Sequence, residues 1–158
     1  MYKNKEWSQK KKAKEINTKI IRGTINTSKP ETDVYHKLCE KFGTDDVVRQ
    51  HKETRYPFFC DFYIRSTDIF IECNFHWTHG KEPFDETSEI HRRKLELWRS
   101  KHTKFYDIAV KVWSEKDPLK IETAKLNGIK LFVFYSVSEF DNWLSGVNSD
   151  QNNGRTSV

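Results

Sequence analysis

Two acids interrupt otherwise apolar runs in the middle of this chain: Asp61 within Phe58-Phe59-Cys60-Asp61-Phe62-Tyr63-Ile64, and Glu72 within Ile69-Phe70-Ile71-Glu72-Cys73-Asn74-Phe75. A carboxylate in such company needs a cation, a hydrogen-bond partner or exposure at a site, because burying it alone is costly. If the two runs form a hairpin whose turn holds either Ser66-Thr67 or the four residues Arg65 to Asp68, Asp61 falls opposite Glu72. Period-two geometry then sets Glu72 and Asn74 on one face. Two carboxylates and an amide on one patch are oxygen groups of the kind that suits Mg²⁺, which binds through one or two carboxylates and keeps waters for a phosphate substrate. The plainer alternative is that Asp61 is exposed at an edge and Glu72 pairs with one of the many lysines.

The exit from the second run, Phe75-His76-Trp77-Thr78-His79-Gly80, packs two imidazoles and two aromatics close to those acids. A histidine there can accept a proton from water or donate one to a leaving oxygen near neutral pH. Trp77 and Phe75 could stack on or wedge between bases. The alternative makes the aromatics core and the histidines surface residues. The His-x-x-His spacing does not read as a zinc helix, because the segment leaves a strand and meets Gly80 at once.

The chain that must position these groups has 158 residues, close to the commonest size of one domain. Hydrophobic content is only 35%, so eleven Phe, six Tyr and five Trp must build much of the core. No run approaches eighteen apolar residues, which excludes a spanning helix, and the first residues lack the apolar stretch of a secretory signal. A soluble intracellular protein without membrane partners is expected. Cys39, Cys60 and Cys73 are odd in number and lack Cys-x-x-Cys spacing, so reduced thiols are expected rather than a disulfide framework or a zinc ribbon.

Charge is unevenly placed. Residues 1–29 hold nine Lys or Arg against two acids, so a net charge of +5 conceals a basic N-terminal arm, 1–28, ahead of a slightly acidic remainder. Lys10, Lys11, Lys12 and Lys14 could attach electrostatically to nucleic acid. A solubilising tail or a targeting signal is the other reading. Residues 146–158 are polar and Asn/Ser-rich and are expected to be disordered, which leaves 29–145 as the folded domain.

Within that domain Pro30, the acids after it, and Val34, Leu38 and Phe42 at helical spacing predict a helix over 30–42 that Gly43 stops. Strands are predicted at 46–51, 57–64 and 68–75. The pattern then gives a long surface helix over 85–104, a strand over 106–113, a helix from Asp117-Pro118 to Asn127-Gly128, a buried parallel strand over 129–135 and a closing helix over 138–144. The sum is an α/β fold, with a strand–helix–strand unit joining 106–113 to 129–135.

The linked segments Tyr56-Pro57-Phe58, Cys60-Asp61-Phe62-Tyr63-Ile64, Ile71-Glu72 and Trp77-Thr78-His79-Gly80 resemble the endonuclease-like proteins of large bacteriophages. These are relatives of the very-short-patch repair endonuclease in the PD-(D/E)xK superfamily. The resemblance covers about residues 29–136 and implies a restriction-endonuclease-like core, a central mixed β-sheet flanked by helices. It matches Glu31, Asp61 and His79 to the Glu–Asp–His group of a branch that includes homing endonucleases, with Asp117-Pro118 following in the same order. By the same likeness Glu72-Cys73-Asn74 takes the place of acid-x-Lys, and Asp61, Glu72 and the Cys73 carbonyl would hold Mg²⁺, or Mn²⁺ in its place. Two departures stand out. Asn74 replaces the motif lysine, so His79 or Asn74 must position the attacking water, and the repair enzyme's structural zinc set has no counterpart. The resemblance implies a metal-dependent DNA endonuclease, monomer or homodimer, acting in the cytoplasm of a bacterial host if phage-encoded. Asp61, Glu72, Glu31, Asn74 and His79 would serve catalysis, and Lys10, Lys11, Lys12, Lys14, Trp77 and Lys81 would meet DNA. The rival expectation is a DNA-binding module on a nuclease fold that has lost catalysis.

Overall fold

The structure, a computed structural model, describes residues 29–147. The chain divides between Asp33 and Val34, so the first turn of the leading helix belongs to one unit and the remaining described residues to the other. Helix α1 spans Lys29–Phe42, with Glu31 in its first turn and Lys41 in its last, each favourable to the helix dipole. Val34 and Leu38 are fully buried, one helical turn apart. Gly43 takes a left-handed φ of 92° and donates its N–H to Cys39 O at 2.8 Å, ending the helix as expected.

Strands β1 (Val47–Glu53), β2 (Tyr56–Ile64) and β3 (Ile69–Cys73) form an antiparallel meander, and β4 (Lys130–Phe134) adds parallel to β3. The mixed sheet therefore has the order β1-β2-β3-β4. The hairpin turn is the four-residue one, since Ile64 pairs with Ile69. Parity sorts the faces along β3, while β2 changes sides at Asp61. Ile71 and Cys73 join Phe62, Ile64 and Phe134 beneath α1 and the closing helix, while Phe70 joins Tyr56, Cys60, Ala124 and Ile129 on the other side.

Downstream of β3 the chain departs from the sequence expectation. The helix expected over 85–104 is the shorter α2, Glu89–Arg99, started by Ser88, whose Oγ accepts from His91 N, and stopped at a tight turn in which His102 has φ 50°. No strand forms over 106–113. Residues Lys104–Lys111 are helix α3, capped by Thr103, and one π-helical turn, Val112–Lys116, carries it without a break into α4, Asp117–Leu126. The decisive pattern is Tyr106, Ala109, Val110 and Trp113, spaced at i, i+3, i+4 and i+7. Those side chains pack with Leu95, Trp98, Trp77 and Phe84, whereas Ile108, which supports the strand reading, is exposed. Pro118 lacks the N–H that a continuous α-helix would use, and the π turn takes up that break.

The parallel partner of β4 is consequently β3, reached through three helices, and not a strand over 106–113. β4 also lies at the sheet edge, with Lys130 exposed and only Phe134 buried, rather than in the interior. Helix α5, Val137–Gly146, closes the fold with Ser136 accepting from Glu139 N and Glu139 Oε2 from Tyr135 N. Cys39, Cys60 and Cys73 are free thiols. No helix among the described residues is long and apolar enough to cross a membrane.

Candidate functional site

The β2–β3 ladder stops at Phe62 and Ile71, one residue short of the expected Asp61–Glu72 pair, which the ladder does not form. Side chains take over where the backbones part. Asp61 Oδ2 accepts the Cys73 N–H at 2.7 Å and Oδ1 faces Gln50 Nε2 at 3.5 Å, while the Cys60 thiol reaches Phe62 O and Ile71 O at 3.2 Å. Asp61 is thus half-buried in a central strand and not at an edge. Gln50 holds a φ of 51° in β1, next to the irregular register between His51 and Glu53.

Glu72 is buried, 4% exposed, on the sheet face covered by α4. Its Oε1 accepts from Tyr56 Oη at 2.7 Å and from Lys120 Nζ at 3.0 Å. The plain alternative raised by the sequence, a lysine partner for Glu72, is therefore realised. Burial by itself pulls the Lys120 ammonium down, but Glu72, and beyond it Asp61 and Asp117, outweigh this and hold its pKa above the ordinary lysine value. Tyr56 is pushed far above the usual phenol range by burial first and by Glu72 second, so it remains a donor.

A second polar group meets this one at the carboxyl ends of β3 and β4. His79 closes a single 3₁₀ turn, Trp77–His79, and its Nδ1 lies 2.7 Å from Oδ2 of Asp117, a carboxylate 5% exposed at the start of α4. In the tautomer whose Nδ1–H donates to this carboxylate, Nε2 is the accepting nitrogen of the ring. Asn74, one residue past β3, is buried, and its N–H donates to Phe134 O at 2.8 Å. Its amide lies beside the buried Tyr135 hydroxyl and is the polar side chain that faces it. Burial, with Asp117 adding to it, pushes that phenol up to about 12.

The histidine turn is fixed from the helical side. Gly80 has φ 68°, and a Cβ there would lie 2.1 Å from Trp113 Cε2, so no other residue fits. Lys94 Nζ donates to Gly80 O, Trp113 Nε1 donates to Glu82 O, and His91 accepts from Asp85 N while its Nε2 meets Glu82 Oε1. Trp77 is half-buried among Trp98, Phe105 and Tyr106, with ring centroids 5.1 to 5.5 Å away. Lys81 is exposed with φ 66°.

Of the residues singled out in the sequence, the fold thus brings Asp61, Glu72, Cys73, Asn74 and His79 to one end of the sheet. Glu31 lies in the first turn of α1. Lys10, Lys11, Lys12 and Lys14 fall outside the described residues. Sequence reasoning assigns no role to Lys120, Asp117, Tyr56 or Tyr135. A signal for two of them exists, since Asp117 and Lys120 stand three apart on a helix and share a face. Among the described residues no three His, Cys, Asp or Glu group as a ready metal cage. The donor set does fit Mg²⁺, which needs only one or two carboxylates, here Asp61 and Glu72, and keeps waters. Comparison of the chain with protein families, curated proteins and solved structures found no match.

Proposed function

We propose that the chain is a metal-dependent endonuclease acting on DNA, with its centre at the carboxyl ends of β3 and β4. The observation that carries this reading is the convergence of Asp61, Glu72 and Lys120 with the His79–Asp117 pair, from β2, β3, the turn after it and α4. Open α/β sheets bind ligands at this edge, outside the carboxyl ends of parallel strands. Asp61 and Glu72 would hold Mg²⁺ or Mn²⁺, which when bound supplies charge stabilisation at a phosphoryl oxygen and a more acidic water.

The residues of the chain divide the remaining work. His79 Nε2 takes a proton from the attacking water as its oxygen bonds to phosphorus, and the leaving oxygen, in line on the far side, takes its proton from solvent water as the P–O bond breaks. Asp117 fixes the tautomer and stabilises the imidazolium. Lys120 supplies a fixed positive charge where the motif lysine of the resembling nucleases has been replaced by Asn74. Glu31 is retained as a candidate on the resemblance alone.

One observation favours a second reading, a DNA-binding module without catalysis: Glu72 is already held by Lys120 and Tyr56. Supercoiled plasmid incubated with Mg²⁺, Mn²⁺ or EDTA separates the two. Nicking or linearisation that needs metal and is lost in Glu72→Gln and His79→Ala supports the nuclease. Binding without cleavage under every metal supports the module.

A further inference from the structure

Outside the candidate site, the most strongly charged part of the described fold is its helical lobe. Residues 88–116 carry eight Lys or Arg against four acids, while the rest of the chain after residue 29 is acidic. The excess concentrates at the corner between α2 and α3. Arg99-Ser100-Lys101-His102-Thr103-Lys104 holds three permanent cations and no acid, all six residues are exposed, and Arg99, Lys101 and Lys104 make no ion pair among the described residues. By contrast Arg93 on the same helix is paired with Glu89, and Lys94 is spent on Gly80 O.

The corner is also fixed in shape. Ser100 N donates to Glu96 O, Lys101 N to Trp98 O, His102 N to Arg99 O and Tyr106 N to Thr103 Oγ1, with Trp98 buried beneath. The left-handed conformation of His102 is strained for a side chain with a Cβ and persists only because these contacts determine it. Phe105, 57% exposed, continues the surface and meets Trp77 and His76, two and three residues before His79. A set of exposed, preorganised cations joined through one aromatic contact to a phosphodiester-handling histidine has a natural complement in the regularly spaced charges of a duplex.

We infer that the α2–α3 corner is a docking surface for the DNA backbone, with Arg99, Lys101 and Lys104 each contacting a phosphate, independently of the N-terminal arm. The assignment of DNA as partner rests on the nuclease reading. The test is binding of the full chain to a short mixed-sequence duplex in EDTA across a salt series, comparing wild type with Arg99→Gln/Lys101→Gln/Lys104→Gln and with Lys10, Lys11, Lys12 and Lys14 all changed to Gln. Three lost phosphate contacts lower the slope of log K against log salt by about 2.7, equally for unrelated sequences, and the charge-conserving Arg99→Lys/Lys101→Arg/Lys104→Arg variant restores it. Wild-type binding that the triple Gln variant leaves unchanged overturns the corner while the nuclease reading survives. A corner-dependent slope in a protein that cuts under no metal upholds the corner and removes the nuclease. Loss of binding to vesicles of phosphatidylserine and phosphatidylcholine, with DNA binding intact, makes it a membrane surface and overturns the proposal.

Discussion

The two halves of the candidate site are held by different means. On the acid side Glu72 is placed by β3 and Asp61 by the point where β2 leaves its ladder, and the bonds that steady them come from the sheet and the helix lying on it: Cys73 N–H, Tyr56 Oη and Lys120 Nζ. On the histidine side His79 leaves the sheet on a short turn, and its position depends on Gly80 fitting under Trp113 and on Asp117 at a π-helical turn. The acid half is built on two adjacent strands and the helix that covers them. The histidine half is hung on aromatic packing from residues thirty and more positions away.

Substitutions can set the halves against each other, beginning with the largest effect. Gly80→Ala drives a methyl group into the Trp113 ring at a left-handed position, and overpacking with backbone strain should destabilise the protein by about 3 kcal/mol or more, read from chemical unfolding. His79 and Asp117 should lose register while Glu72 keeps its partners. Next, Lys120→Met leaves Glu72 buried with Tyr56 alone and should cost about 3 kcal/mol, whereas Lys120→Met with Glu72→Met should recover much of that loss. A double-mutant cycle measures the coupling.

The same pair sets an alkaline limit. Because the folded state raises the Lys120 pKa, the contribution is complete below the unfolded lysine value of about 10.4 and is lost as pH rises through the folded value. Stability of the wild type should therefore fall in alkali more steeply than that of Lys120→Met, whose curve lacks this component. Tyr56→Phe, which removes one donor from the same carboxylate, should cost about 2 kcal/mol. Smallest of all is Tyr135→Phe. Its hydroxyl has only the Asn74 amide beside it, so stability should fall by about 1 kcal/mol or less, while Mn²⁺ affinity measured by calorimetry should drop if that hydroxyl serves the site.

The same contrast separates what is legible in the sequence from what is not. The β2–β3 hairpin is readable because two apolar runs flank a short polar break, whereas the change of sides at Asp61 has no local signal. Helix α1 is readable because Pro30, Val34, Leu38 and Gly43 each signal it separately. The segment over 106–113 misleads because Ile108, Val110 and Val112 alternate as a strand does, and only the packing of Tyr106, Ala109, Val110 and Trp113 against Trp98 selects the helix. A strand there makes Asp117 look like a plain helix start, when it lies buried within a continuous helical stretch and bonds His79. Lys120 is hidden with it, since its partner is forty-eight residues away and no local pattern announces such a pair.

Whether the acid pair and the His79–Asp117 pair form one hydrolytic centre is tested most directly by single-turnover cleavage of supercoiled plasmid by wild type and by Asp61→Asn. The asparagine oxygen can still accept the Cys73 N–H and keep the strand junction intact. A single centre predicts metal-dependent cutting by the wild type and its loss in a variant that remains folded and bound to DNA. Undiminished cutting by folded Asp61→Asn, or no cutting by wild type with any divalent metal, would contradict it.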